Sequence, residues 1–105
     1  MRLVLASLAL AMLAACGPIQ STAALIDADV ELEAARAAGA AQTSPYEFTG
    51  AEAYLHKARE LSGRSEYERA TRLAGRSLEL AKQARKNASA ASNRDAAAGS
   101  KEVAP

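Results

Sequence analysis

Residues 67–91 of this chain read YERATRLAGRSLELAKQARKNASAA, and their spacing decides the fold. One tyrosine and a series of small side chains recur in alternating steps of three and four, the repeat of a helix that packs along a neighbour. The positions on this seam are Tyr67, Ala70, Ala74, Ser77, Ala81, Ala84, Ala88 and Ala91. Small residues let two helices approach closely, and we expect Gly75, beside the seam, to serve the same approach. The stretch therefore predicts a long, closely packed helix, helix C.

A second predicted helix, helix B, precedes helix C almost directly. Thr49 with Glu52 three residues later forms a capping box that predicts its start, and Gly63 predicts its end. Its apolar face consists of Ala51, Tyr54, Leu55, Ala58 and Leu61. Ser65 with Glu68 forms a second capping box, so the connection between B and C is very short. Such a connection predicts an antiparallel helix pair.

A third predicted helix, helix A, covers residues 23–38, with Ser21 or Thr22 as its N-cap and Gly39 as its C-terminal cap. Its apolar residues form two stripes. One stripe holds Leu25, Ala28, Leu32 and Ala35, and the other holds Ile26, Val30, Ala34 and Ala37. Two explanations stand: the helix is wedged inside a bundle, or one stripe is a surface for a partner or for self-association.

The segments around these helices complete the predicted fold. Residues 40–48 contain Pro45 and no helical period, which predicts a loop. Tyr46 and Phe48 near its end are expected to be core residues that pack back on helix B as a staple, with a binding role as the alternative. Residues 92–105 lose the apolar period, which predicts a flexible tail. The chain is thus predicted to be all-α, with a small three-helix bundle over residues 23–91: an antiparallel pair and an N-terminal helix.

Composition and site chemistry argue against two classes of function. The formal net charge of +1 and an aromatic content of 4% favour neither an electrostatic nor a stacking surface for nucleic acid. The single histidine, His56, lies one turn after Glu52 on the polar side of helix B, and without further ligands we interpret the two as a solvated pair rather than a metal site. No serine or cysteine has a plausible base, and no glycine loop could cradle phosphate. We expect neither enzymatic activity nor a cofactor.

The N-terminus has the layout of a secretory signal. Arg2 provides a positive start, residues 3–13 are apolar, and Ala14 and Ala15 are small. The apolar run is shorter than the roughly 20 residues that a membrane-spanning helix needs, and Gly17 and Pro18 end its helical pattern. Residues 1–15 are therefore predicted to be a signal peptide.

The residues Leu13, Ala14, Ala15 and Cys16 resemble the lipobox of bacterial lipoproteins. This resemblance implies a diacylglyceryl thioether on Cys16, cleavage between Ala15 and Cys16, and acylation of the new amino terminus, with residues 16–22 as a lipidated tether. The alternative is a spare thiol beside an ordinary signal peptide. Gly17 occupies the position at which lipoproteins retained in the inner membrane generally have aspartate, so the resemblance implies the periplasmic side of the outer membrane.

Two further resemblances involve the helices. Residues 54–81 resemble a tetratricopeptide helix pair at Tyr67, Ala70 and Leu78 but depart from it at Lys57 and Ala58. The mature region is more similar to a family of short, alanine-rich, three-helix envelope lipoproteins, a domain of unknown function. That similarity rests on Ala34, Ala35, Arg36, Ala37, Gly39 and Pro45, the helix over 51–61, and Tyr67, Ala70, Leu73, Ala74 and Ala81. It implies a location and a fold but no activity.

Three functions are compatible with these predictions. The first is a structural or adaptor lipoprotein, held in the membrane by acylated Cys16, that contacts another envelope protein or the cell wall. The second is a self-assembling helical spacer, a homo-oligomer formed through the seam of residues 67–91. The third is a small periplasmic chaperone or enzyme inhibitor, which an apolar groove between helices A and C would favour.

Overall fold

The computed structural model describes the backbone of residues 1–14 and 16–102 and the side chains of residues 1–13 and 17–99. Over this part of the chain every regular element is a helix, so the all-α prediction is confirmed. The helices are α1 (Arg2–Ala14), α2 (Cys16–Ala37), α3 (Ala40–Thr43), α4 (Pro45–Gly63) and α5 (Tyr67–Glu102).

Helix α5 packs along both α2 and α4, and its predicted seam forms the centre of the core. From Ala70 to Ala88 every seam position is buried, while Tyr67 and Ala91 at the two ends are half-buried. Residues facing the seam are Ala28, Leu32 and Ala35 of α2 and Phe48, Ala51, Leu55 and Ala58 of α4. Because most of these side chains are alanine, stability depends on close backbone approach and on helix propensity more than on large apolar side chains. We call α2, α4 and α5 the helical core.

Contacts between named pairs give the directions of the three helices. Ser77 of α5 contacts Ala51 of α4, and Leu80 lies against Gly50, so residue numbers fall along α4 as they rise along α5. At these contacts α4 and α5 therefore run in opposite directions. Helix α2 runs parallel to α5, because Gly17 lies beside Tyr67 at one end and Glu31 pairs with Arg85 further along.

The start of α2 differs from the predicted start of helix A. Helix α2 is described from Cys16 onward and passes through Pro18, so the residues of the predicted tether, 16–22, are helical. Ser21 and Thr22 consequently lie inside the helix, and the prediction that one of them is the N-cap is wrong. The hydroxyl of Thr22 donates to the carbonyl oxygen of Pro18 at 2.8 Å.

Gly39 terminates α2 as predicted. Its φ of 82° lies in the left-handed region, and its N–H donates to the carbonyl oxygen of Arg36 at 3.0 Å. The following residues, predicted to be a loop, form the helical turn α3 with Ala40 buried.

Helix α4 begins at Pro45, earlier than the predicted Thr49. Ser44 precedes it as N-cap, Pro45 occupies the first helical position, and the Ser44 hydroxyl donates to Oε2 of Glu47 at 2.6 Å. A proline at this position is favourable because its fixed φ suits the helix. Its lack of an N–H group also costs nothing there, since an N–H at the first helical position would have no acceptor within the helix. The capping box at Thr49 is therefore not used.

The two aromatic residues near the start of α4 have opposite environments. Phe48 is buried in the core as predicted, whereas Tyr46 is 83% exposed and is not a core residue. The shift of the helix start explains the difference, since both residues now lie within one helix on different faces.

The connection between α4 and α5 consists of Arg64, Ser65 and Glu66. Gly63 is the last residue of α4 as predicted, but the left-handed position is Ser65, with φ 64°. The N–H of Ser65 donates to Ser62 O at 3.1 Å, and the N–H of Glu66 donates to Leu61 O at 2.9 Å. This pair of hydrogen bonds is a Schellman motif. Ser65 therefore belongs to the end of α4, and the capping box predicted to start at Ser65 does not form the start of α5.

Helix α5 continues past the predicted boundary at Ser92 to Glu102. Residues 92–99 are exposed, as their lack of an apolar period predicts, but the helix continues through them. The alanines at 96–98 favour helix, and extending an existing helix avoids the cost of nucleation. Residues 103–105 of the predicted tail lie outside the described chain.

Candidate functional site

The predicted signal peptide contains helix α1, whose large apolar side chains are exposed. Its large hydrophobic residues are all exposed: Leu3, Val4, Leu5, Leu8, Leu10, Met12 and Leu13. By length and composition alone the stretch Arg2–Ala37 could cross a membrane, but a signal sequence satisfies the same criterion. Of the predicted motif, Leu13 is exposed at the end of α1, Ala14 is its last residue, and Ala15 lies outside the described residues.

Cys16 is the first residue of α2, so the predicted lipidation position lies directly at the helical core. Gly17 already packs against α5: a Cβ built on Gly17 would lie 3.6 Å from Cδ2 of Tyr67, an ordinary van der Waals distance. At the same end, the hydroxyl of Ser21 donates to that of Ser62, 3.2 Å away. The start of α2, the end of α4 and the start of α5 therefore meet at one end of the core, which we call the anchor end.

Three ion pairs hold α2 in register with its neighbours. Asp29 pairs with Arg59 of α4 at 2.6 Å, and Glu31 pairs with Arg85 of α5 at 2.5 Å. Glu52 of α4 lies 3.6 Å from Arg36, whose guanidinium also stands 5.4 Å from the ring centroid of Phe48. Because most of these groups are about half exposed, each pair contributes little stability, but together they disfavour sliding of the helices.

A groove of about 590 Å³ runs between α4 and α5 on the surface away from α2. Its walls include exposed Tyr46, half-buried Tyr54, and Arg76, whose guanidinium carbon lies 5.8 Å from the Tyr54 ring centroid. Gly50 provides the floor, since a Cβ there would come within 3.1 Å of Cδ1 of Leu80. The remaining lining residues are Pro45, Thr49 and Ala53. No carboxylate lines it among the described residues, and Arg76 has no ion pair in that part of the chain, so the groove combines aromatic surface with one unneutralised positive charge. We call it the tyrosine groove.

Sequence reasoning did not find this groove. Tyr46 is expected in the core, with a binding role only as the alternative, and Tyr54 is expected on the apolar face of helix B. The available signal was the spacing Tyr46, Gly50 and Tyr54, which places all three on one side of a helix once the start at Pro45 is recognised. Arg76 comes from the other helix, so no local pattern indicates it.

The two stripes of helix A have different environments. Ala28, Leu32 and Ala35 are buried, and Leu25 is half-buried beside them. On the other stripe, Ile26 is 57% and Val30 62% exposed. The interpretation of helix A as wedged inside a bundle therefore fails at Ile26 and Val30, which the other described residues leave exposed. The shallow groove between α2 and α5 is lined by Asp27, Val30, Glu31, Leu78 and Lys82, so it is substantially charged.

The residues considered for metal binding do not converge. His56 is exposed, and Glu52 is engaged with Arg36. No group of three or more histidine, cysteine, aspartate or glutamate side chains is placed to hold a metal within the described residues. The clearest perturbed carboxyl is Glu47, where the hydrogen bond from Ser44 lowers the pKa. This carboxyl lies in the first turn of α4, and the hydrogen bond that it accepts from Ser44 accounts for the shift.

A comparison with protein families gives one match, to a model described as Domain of unknown function (DUF4398), over residues 23–100. No curated protein and no solved structure matches the chain. The matched region contains most of α2, all of α3 and α4, and nearly all of α5. It leaves out α1 and Cys16, so lipoprotein status remains a prediction. The tetratricopeptide resemblance of residues 54–81 also remains a prediction, because the matched family is described only as a domain of unknown function. Since the match covers well over half of the chain, the chain belongs to the DUF4398 family, a domain of unknown function.

Proposed function

We propose that this protein is a lipoprotein that acts as a non-catalytic structural or adaptor module in the bacterial envelope. In this proposal α2, α4 and α5 form a three-helix bundle, and acylated Cys16 holds it on the periplasmic side of the outer membrane. The observation that carries the proposal is the position of Cys16. It lies between an exposed apolar helix that ends in small residues and the first turn of the packed core.

Lipidation of Cys16 would give a firm anchor. Each buried methylene contributes about 0.8 kcal/mol, so two or three acyl chains hold a protein stably where one does not. Because α2 begins at Cys16 and Gly17 already contacts Tyr67, the anchor would join the core without a flexible spacer. The core would then stand close to the bilayer, with the anchor end facing the lipid.

The anchor is tested by labelling with radioactive palmitate and by membrane fractionation in a Gram-negative host. Wild-type protein is expected to take up label and to fractionate with the outer membrane, whereas Cys16→Ala should lose the label and the processed amino terminus. Gly17→Asp should shift labelled protein to the inner membrane. Its matched control is Gly17→Ala, which should stay in the outer membrane because a Cβ there makes only an ordinary contact with Tyr67. Unlabelled wild-type protein in the soluble periplasm would refute the anchor.

The adaptor role needs a binding surface, for which the tyrosine groove is the best candidate. Tyrosine and arginine are enriched at the centres of protein interfaces, because they combine large contact area with specific polar contacts. Arg76 brings a positive charge that no carboxylate in the groove neutralises. We therefore propose an envelope protein with an apolar segment that carries a carboxylate as the partner. At 1.5 Å per residue, Arg76 lies about 14 Å along α5 from Tyr67, clear of the anchor end.

Site-specific photocrosslinking in cells tests the groove. A photoreactive phenylalanine analogue at Tyr46 should give a discrete adduct with another protein, and Arg76→Glu should weaken that adduct. The same analogue at His56, which is also exposed on α4, is the matched control and should give none. Equal adducts at both positions would count against the groove.

The chaperone or inhibitor alternative has less support. It was expected to use an apolar groove between the first and third helices of the core. The groove between α2 and α5 instead carries Asp27, Glu31 and Lys82. The spacer alternative relied on the seam of α5, which is buried inside the chain.

A further inference from the structure

We propose that two copies of this protein associate in parallel through the exposed face of α2 when both are anchored in one membrane. The surface consists of Ile19, Ala23, Ile26 and Val30, which we call the outer seam. This inference rests on the proposed function in two respects: the membrane anchor sets the parallel arrangement of the two copies, and it strengthens their association.

The outer seam has the spacing of a coiled-coil interface. Its residues follow one another in steps of four, three and four, the heptad pattern that keeps one face directed at a partner helix. Ile19, Ile26 and Val30 are 68%, 57% and 62% exposed, and Ala23 is also exposed. Three exposed aliphatic side chains aligned on one face of a helix are more than the scattered apolar residues of an ordinary surface.

A second copy fits this face better than the bilayer does. Ile26 and Val30 lie about 15 and 21 Å along α2 from Cys16, so an upright core holds them above the lipid. Laying α2 flat would bring its acidic residues, Asp27 among them, to the headgroups, and residues 17–35 contain no lysine or arginine that could attract lipids. A second copy anchored through Cys16 presents the same face at the same height, and Ile26 then faces Ile26.

The charges beside the outer seam permit this pairing. Asp29 and Glu31 are already paired with Arg59 and Arg85, and Glu33 is paired with Arg36 in the same helix. In a parallel heptad pair with Ala23 and Val30 at a positions, Asp27 flanks the seam opposite Thr22 of the second copy. Like charges therefore do not face one another along Ile19 to Val30.

The area predicts a weak association that depends on the membrane. Part-exposed side chains from a few turns of one helix bury much less than the roughly 800 Å² per partner of a standard interface. In solution the pair should therefore be sparsely populated. Anchoring fixes the orientation of both copies and raises their effective concentration, which strengthens association without any new contact.

Disulfide crosslinking of single-cysteine variants in intact membranes tests the inference. Lipidation consumes the thiol of Cys16, so a cysteine at residue 26 is the one free thiol in the Ile26→Cys variant. Mild oxidation should convert this variant to a dimer at least several-fold more efficiently than His56→Cys, an exposed position on α4. Adding Val30→Glu to Ile26→Cys should reduce the dimer to the His56→Cys level, with circular dichroism confirming that the helices remain.

The outcomes separate the dimer from the anchor. If the Ile26→Cys variant is labelled by palmitate but crosslinks no better than His56→Cys, the dimer is overturned and the anchor stands. The same conclusion follows if residue 26 crosslinks only to a different protein. If palmitate does not label the protein, the anchor fails, and Cys16→Ala combined with Ile26→Cys decides the dimer. Because the unanchored pair is weak, this double variant is oxidised at high protein concentration beside Cys16→Ala combined with His56→Cys. A homodimer formed more efficiently than in that control supports the shared face, and crosslinking no better than in the control overturns it.

Discussion

The hydroxyl of Ser77 on α5 donates to the backbone carbonyl oxygen of Ala51 on α4, with the two oxygens 2.6 Å apart and both residues fully buried. A side chain as short as serine reaches a neighbouring backbone only if the helices are very close. The contact therefore shows how closely the small seam residues allow the backbones of α4 and α5 to approach each other. It also satisfies the one polar side chain in the middle of an otherwise alanine seam.

Substitutions at Ser77 should separate the hydrogen bond from the space it occupies. Ser77→Ala removes a hydroxyl, but Ala51 O keeps its acceptor role within α4, so we expect a loss of about 1 kcal/mol in the free energy of unfolding. Ser77→Leu forces a large side chain between two backbones and should cost about 3 kcal/mol or more. Urea unfolding followed by circular dichroism measures both. A Ser77→Leu variant as stable as Ser77→Ala would contradict the close approach.

The seam was predictable because its information is local and repeated. Each position from Ala70 to Ala88 contributes to the same period, so one irregular residue does not change the prediction. The antiparallel pair followed from the short distance between two strong helix signals. The prediction that Cys16 is lipidated also comes from a local motif, and it stays a prediction because the family match does not include that residue.

The helix ends and the tyrosine groove were less predictable for different reasons. Ser44 and Thr49 are both suitable N-cap residues for this helix. The choice between them depends on Pro45 and on the burial of Phe48, and that burial is a tertiary contact. The groove joins Tyr54 to Arg76 across two helices, which no sequence period encodes. The exposure of Ile26 could not be predicted from the sequence either. Two apolar stripes are expected both for a helix packed on two sides and for a helix with one exposed apolar face.

Gly75 should be replaceable with a gain in stability. It was expected to allow close helix approach, but a Cβ built there has no atom within 4 Å, and its φ is not positive. Gly75→Ala should raise the free energy of unfolding by about 0.5–1 kcal/mol, the difference in helix propensity. Gly50→Ala is the comparison: its Cβ would lie 3.1 Å from Leu80 Cδ1, so its gain should be smaller. Thermal unfolding of both variants checks the order, and an equal or larger gain at Gly50 would contradict it.

Ser65→Gly should stabilise the connection between α4 and α5. Ser65 holds φ 64°, a conformation that costs a residue with a side chain about 1–2 kcal/mol, whereas glycine adopts it freely. Because glycine also gains freedom in the unfolded chain, we expect a net gain of about 0.5–1 kcal/mol in urea unfolding. Gly39→Ala is the reciprocal control, since φ there is 82°, and it should destabilise by about 1 kcal/mol. A loss at Ser65→Gly would show that its side chain matters more than its backbone.

The Ser44–Glu47 contact should make part of the stability depend on acid pH. The hydrogen bond from Ser44 lowers the pKa of Glu47 below its ordinary value of 4.5, with a further contribution from a backbone hydrogen bond. A carboxyl whose pKa is depressed by folding contributes stability that is fully present above pH 4.5 and is lost as the pH falls through the folded pKa. Carbon-detected NMR titration of the Glu47 carboxyl should therefore give a midpoint below 4.5 in the wild type.

Ser44→Ala should move that midpoint upward, toward the ordinary value, and should flatten the fall in stability below pH 4.5. Glu47→Gln is the matched control, because it keeps an acceptor for the Ser44 hydroxyl at 2.6 Å but removes the titrating group. Its stability should change less between pH 5 and pH 3 than that of the wild type. The Asn87 amide, which donates to the Ser44 oxygen at 3.0 Å, turns to water in Ser44→Ala, so a small loss at neutral pH is expected as well. An unchanged Glu47 midpoint in Ser44→Ala would mean that this hydrogen bond does not set the pKa.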